Sequence, residues 1–191
     1  MRMTSTPSGF TLVETLVAVL LLTMTIILPY YAIQRSLTAT FSARDDLIAS
    51  ALAQEAVEYV RGVRDNNYLA GRTGASWLYG LDGGTGERNC ISAPCSVDVT
   101  RGSEVNLAVQ QCNGNPPSGQ PPCYERPLYL SSSNLFYTHV VTGTKTPYVR
   151  YIRIEPVAGS GNNAVKITAT VTWVYRGTHN VTVTDVLTNW I

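Results

Sequence analysis

Phe10–Ile33 reads FTLVETLVAVLLLTMTIILPYYAI, and it follows a short polar segment, Met1–Gly9, that carries one positive charge, Arg2. The 24-residue run contains a single charged side chain, Glu14. As an α-helix rising ~1.5 Å per residue it would reach about 36 Å, enough to cross a hydrocarbon core of about 30 Å. A membrane-spanning helix is therefore the direct reading. A secretory signal peptide fits poorly, because its apolar run spans about 7–15 residues and ends at a small-residue cleavage site. A plain signal anchor accounts for the apolar residues but leaves Glu14 unexplained. An ionised carboxylate is costly in hydrocarbon and ordinarily has a partner there. The alternative is that Glu14 lies near the interface and snorkels out of the apolar layer.

Ser8-Gly9-Phe10-Thr11-Leu12-Val13-Glu14, with the apolar run behind it, resembles the processing site of type IV prepilins and type II secretion pseudopilins. In that family a membrane aspartyl protease, the prepilin peptidase, cuts after the glycine and methylates the new N-terminus. The resemblance implies a cut between Gly9 and Phe10, with Phe10 as the first, N-methylated residue. It also implies that Glu14 pairs with the N-terminal ammonium of a neighbouring subunit. The residue types suit that chemistry. Glycine lets a backbone lie close against a protease. An α-amino group, with an ordinary pKa near 7.8, is largely protonated at neutral pH. Pairing neutralises two charges that an apolar bundle would not tolerate singly, and it fixes axial register between subunits. Pro29 removes a backbone donor late in the run and predicts a bend or a locally weakened turn.

Beyond the proline the helical pattern resumes. In Ala43–Arg64, the residues Leu47, Ile48, Ala51, Leu52, Tyr59, Val60 and Val63 recur at three- and four-residue steps, opposite Asp45, Gln54, Glu58 and Arg61. This predicts an amphipathic helix whose apolar stripe packs on a head, with Glu58 and Arg61 spaced to pair. Asp65-Asn66-Asn67 and Gly71 signal its end. The glycine-rich segment from Arg72 to Gly86 reads as a long loop. Asp82, Thr85 and Glu87 within and beside it lack the spacing of an EF-hand, so no calcium loop is inferred.

Cys90, Cys95, Cys112 and Cys123 lie in a segment dense in Pro, Gly, Asn and Ser. Their spacing lacks the paired C-x2-C of a zinc site. Outside the cell such cysteines are expected as disulfides. Local pairing, Cys90 with Cys95 and Cys112 with Cys123, is the favoured arrangement, with nested or crossed pairing as the alternatives. Asn113–Pro122 reads as a proline-rich exposed loop. The C-terminal third is β. Tyr148–Glu155 alternates, and in Ala164–Tyr175 the residues Val165, Ile167, Ala169, Val171, Trp173 and Tyr175 share one face, opposite Lys166, Thr168, Thr170 and Thr172. Arg176-Gly177-Thr178 is a tight connection to a partner strand over Asn180–Trp190. An antiparallel meander of three or four strands is expected.

The expected fold class is α+β. A long N-terminal helix, membrane-spanning in its first half and amphipathic in its second, packs on a small antiparallel β-sheet head with disulfide-bearing loops. The expected segments are a leader (1–9), a transmembrane and assembly helix (10–64) and a β-rich head (65–191). Hydrophobic residues make up 45% of the 191-residue chain and charged residues 14%, too apolar for a disordered chain. With 14 basic and 13 acidic side chains there is no basic excess to suggest nucleic acid. No P-loop, G-x-S-x-G or Rossmann glycine pattern is present, and His139 and His179 read as structural or exposed strand histidines. No enzyme activity, cofactor or metal is expected.

The resemblance implies a structural subunit of a type IV pilus or pseudopilus. Its partners would be the prepilin peptidase, other pilin or pseudopilin subunits and the membrane. It would span the cytoplasmic membrane once, with the head outside the cytoplasm, before entering a fibre. The last strands, Thr170–Trp190, are similar to the ends of minor pilin-like proteins. The alternative is a membrane-anchored adhesin or binding module that never polymerises.

Overall fold

A computed structural model describes residues 9–83, 89–102, 108–112, 122–141 and 143–189. It contains one α-helix, α1 (Leu12–Leu69), and seven strands: β1 (Cys95–Val97), β2 (Val109–Gln111), β3 (Pro127–Leu130), β4 (Tyr137–Thr138), β5 (Thr144–Pro156), β6 (Ala164–Val174) and β7 (Thr178–Thr188). The chain divides into two compact units, one up to Asp45 and the other from Asp46 onward. The first is the N-terminal part of α1. The second contains the remaining turns of α1 and the sheet, and the architecture is α+β.

All strand pairings are antiparallel, and β5 organises them. Along one edge it pairs with β6 from Val149↔Thr172 to Pro156↔Val165. Its other edge carries two short strands in succession: β3 at Thr144, Lys145 and Val149, and β1 at Ile152. Strand β4 adds to β3, β2 adds to β1, and β7 pairs with β6 along its whole length. The sheet is therefore larger than the expected meander. The three long strands carry the period-2 signal, whereas β1 to β4 are two to four residues each, too short for alternation to register.

The inward face of β6 is the expected one: Val165, Ile167, Ala169, Val171 and Trp173 are buried. Among the residues expected to face outward, Thr170 is also buried, directly opposite Tyr151. Against the inward face lie Ala49, Leu52, Ala53, Ala56, Val57, Val60 and Val63 of α1. Leu52, Val60 and Val63 of the predicted stripe are buried and Ile48 and Tyr59 pack against the core, but two of its members are not. Leu47 is 72% exposed and Ala51 is also exposed, because at ~100° per residue Leu47 stands nearly opposite Ala56. The buried stripe is centred on alanines, whose small side chains allow close helix–sheet approach. A pattern read from large apolar residues misses that centre.

The end of α1 is a glycine-terminated turn. Gly71 (φ +72°) donates to the Tyr68 carbonyl at 2.9 Å, and Arg72 N–H donates to the Asn67 carbonyl at 2.9 Å. These are the two bonds of a Schellman cap, with the φ that glycine adopts without strain. Asn67 lies inside the helix with a buried side chain. Its Nδ2 donates to the carbonyls of Trp77 (3.2 Å) and Tyr79 (3.0 Å). The segment after the helix is consequently folded onto the core, with Trp77, Leu78 and Leu81 buried. Disulfides join Cys90 to Cys95 and Cys112 to Cys123. Residues 1–8, Thr85, Glu87, most of the proline-rich loop (113–121), Trp190 and Ile191 lie outside the described residues.

At the centre of the helix–sheet contact is a charge. Arg150, on the inward face of β5, is fully buried. Its Nη1 donates to Glu55 Oε2 (2.5 Å) and to the Leu52 carbonyl (3.2 Å) of α1, and its Nη2 donates to the Val97 carbonyl of β1 (2.9 Å). At the edge, Arg61 bridges Glu58 (2.6 Å) and Asp185 on β7 (2.7 Å). Replacing Arg150 by Met keeps the bulk but leaves two buried carbonyls short of a donor and Glu55 without its partner. Arg150→Met is expected to cost about 2–3 kcal/mol. Urea unfolding followed by Trp77 and Trp173 fluorescence measures this, and a loss below about 0.5 kcal/mol would show that the charge contributes only bulk.

Candidate functional site

Gly9 and Phe10 precede the helix, and Phe10 is 81% exposed. Thr11 caps α1: the Glu14 N–H donates to Thr11 Oγ1 at 3.3 Å and to the Thr11 carbonyl at 3.1 Å. Glu14 thus sits in the first turn, where a negative side chain is favoured by the unpaired N–H groups. Thr11-x-x-Glu14 has the spacing of a capping box, a signal in the sequence that identifies this cap.

Every residue from Gly9 to Leu37 is exposed. This stretch of α1 is long and apolar enough to cross a membrane. Three of its threonine hydroxyls need no external partner. Thr15, Thr23 and Thr25 donate to the carbonyls of Leu12 (2.8 Å), Leu20 (2.9 Å) and Leu22 (2.8 Å). Closing these groups on the helix itself is what an apolar solvent demands. Pro29 lies inside α1 and brings no N–H, so the carbonyl one turn earlier lacks its usual donor. Among the described residues, none supplies a hydrogen bond or ion pair to the Glu14 carboxylate.

The head contains a second polar constellation that the sequence did not announce. Asp98 is buried, and its two oxygens accept four hydrogen bonds: Thr100 N–H (3.2 Å), Thr100 Oγ1 (2.6 Å), Thr138 Oγ1 (2.8 Å) and His139 N–H (3.0 Å). Burial pushes the Asp98 carboxyl up, but these donors outweigh it and hold the group below the ordinary range. Tyr59 on α1 is raised to about 12, by burial and then by the Asp98 charge. His139 is lowered to about 4 by burial and by the Arg150 charge, with the Asp98 charge and the Pro127 carbonyl beside its ring opposing them, and its ring nitrogens are buried. His179 is different: its ring stacks on Trp173 with centroids 5.5 Å apart, and Nε2 lies 3.0 Å from the Tyr175 carbonyl.

The structure keeps the sequence-derived residues in two groups. Gly9, Phe10 and Glu14 are close along the chain at the start of α1. The four cysteines staple loops of the head, with Cys95 opening β1 and Cys112 directly after β2. Among the described residues, no group of three or more His, Cys, Asp or Glu side chains is placed to hold a metal ion. Compared with protein-family models, curated proteins and solved structures, the chain matches none. The layout itself, an apolar N-terminal helix with a small antiparallel sheet, fits a pilin-like arrangement.

His139 gives the head a pH dependence. Its folded pKa lies below its unfolded one, so the unfolded chain takes up the proton first as the pH falls. The stability contributed by the neutral ring is full above about pH 6.5 and is lost toward pH 4, by up to about 3 kcal/mol. His139→Gln should flatten that part of the profile. Urea midpoints measured from pH 7 to pH 4 check this, and an unchanged slope would exclude His139 as its source.

Proposed function

We propose that the chain is a prepilin-type subunit that is cut between Gly9 and Phe10, methylated at Phe10 and assembled through α1 into a type IV pilus or pseudopilus. The observation that carries this reading is Glu14. It is the single charged side chain in a fully exposed apolar run, and the chain offers its carboxylate no partner among the described residues. The N-terminal ammonium of a neighbouring subunit would supply one. Two further features support the reading. A Cβ on Gly9 would meet nothing within 4 Å among the described residues, so packing does not dictate glycine there, which suits a position read by a protease. The exposed apolar residues continue past the spanning stretch to Phe41 and Leu47, which suits a helix packed among its copies.

On this reading the N-terminus faces the cytoplasm before processing and the head lies outside it, in the compartment where Cys90–Cys95 and Cys112–Cys123 would persist.

Co-expression with a prepilin peptidase, followed by intact mass and N-terminal analysis, tests the proposal. A product beginning at N-methylated Phe10 is expected. A product still beginning at Met1, in cells where a known prepilin is cut, would overturn it in favour of a membrane-anchored adhesin or binding module. Glu14→Ala should leave membrane insertion intact and reduce incorporation into fibres at least about tenfold, the loss of one buried charge pair. Fibre yield in sheared-surface fractions, compared with total membrane protein, reads this out.

A further inference from the structure

We infer that the cavity at the β1–β2 end of the sheet is a binding site for a small oxyanion, a carboxylate or a phosphate. The cavity has a volume of about 250 Å³ and is lined in part by Ser96, Asp98, Arg101, Gln110, Arg126 and His139. Arg126 is 8% exposed. One of its terminal nitrogens donates to Gln110 Oε1, its Nε has no partner, and no carboxylate among the described residues pairs with it. A buried guanidinium without a counter-charge is costly, and its planar donor edge matches the geometry of a carboxylate or phosphate.

The acid already in the cavity is not available for this purpose. Both oxygens of Asp98 are committed to Thr100, Thr138 and the His139 N–H. The His139 ring nitrogens are buried at the cavity, beside the Pro127 carbonyl, and Arg101, exposed at the rim, adds a second cation. Among the described residues the lining has two guanidinium charges, Arg101 and Arg126, against one carboxylate, Asp98, so a single negative charge balances these. Burial and the Arg150 charge keep the His139 ring neutral, with Asp98 opposing them and Arg126 acting in the same direction as Arg150. An anion seated beside the ring would favour its protonation.

The test uses the full chain in detergent micelles, titrated with inorganic phosphate and with glucuronate against chloride at matched ionic strength. Isothermal calorimetry reads binding, and NMR of the His139 ring reads its protonation. Saturable binding is expected, together with a rise in the His139 pKa when the site is filled. Arg126→Gln should weaken binding at least about tenfold, and Arg101→Gln about threefold, while Arg126→Lys should retain part of it. Because Arg101 is exposed, its variant separates lost binding from lost folding. Tighter binding of phosphate identifies a phosphate ligand, and tighter binding of glucuronate identifies a carboxylate; either supports the site. The proposal fails if neither probe binds saturably or if binding is indifferent to both arginine variants.

Discussion

The head is built around a guanidinium that has no contact with water. Arg150 draws on three elements at once: the Glu55 carboxylate and the Leu52 carbonyl of α1, and the Val97 carbonyl of β1, from its own place on β5. Leu52 and Glu55 are three residues apart on one side of the helix, so the same side chain fixes both the rotation of α1 and its position along the sheet. A one-residue slide of the helix would leave a buried cation facing a methyl group. Burying the guanidinium is expensive, and its bonds to the half-exposed Glu55 and to two carbonyls contribute less to net stability than to excluding other arrangements. The alanine stripe leaves room for it. Ala49, Ala53 and Ala56 have no side-chain shape that would itself prevent the helix from rotating, so the charge supplies the specificity that packing lacks.

The outer part of the sheet uses a weaker form of the same device. Strand β7 is a long edge strand, and an unpaired edge is a template for unwanted pairing. Asp185 points inward from it to Arg61, which also holds Glu58. The Arg61 hydrogen bond lowers the Asp185 carboxyl below its ordinary range despite some burial. An inward charge at the edge penalises any shift of register by one residue, because the shift would turn Asp185 outward and a valine toward Arg61.

Legibility in the sequence follows length and period. Strands β5, β6 and β7 are eleven to thirteen residues, and their alternation shows in the residue types. Strands β1 to β4 are set by what they pair with on β5 and β1, which no local pattern encodes. The amphipathic half of α1 is legible as a helix, and Leu52, Val60 and Val63 mark its buried face, but the alanines at the centre of that face are not. Leu47 drew the eye as a large apolar residue, whereas Ala49, Ala53 and Ala56 form the contact. Arg150 was visible only as a break in the alternation Tyr148, Arg150, Ile152, Ile154. Its meaning needs Glu55, ninety-five residues earlier. The Asp98 cluster is equally non-local, since Thr138 and His139 come to it from some forty residues away. Gly9, Phe10 and Glu14 lie at the other extreme: their signal is wholly local, and their proposed roles depend on molecules other than this chain.

Arg150 and Glu14 pose the same electrostatic problem. Each is an ionisable group in an apolar setting, and each must be neutralised or solvated. For Arg150 the chain carries its own answer, at the cost of committing Glu55 and two backbone carbonyls. For Glu14 the described chain offers none, although it closes the nearby hydroxyls of Thr15, Thr23 and Thr25 on helix carbonyls. A sequence that satisfies weak polar groups internally and leaves the strongest one open is not merely a poor membrane anchor. The first turn of α1 favours a negative side chain there, but gives the carboxylate no counter-charge. On the proposed reading the counter-charge is intermolecular. On that reading, the ammonium freed by a cut before Phe10 would meet the carboxylate of a copy displaced along the axis, which neutralises both charges and fixes the register between copies.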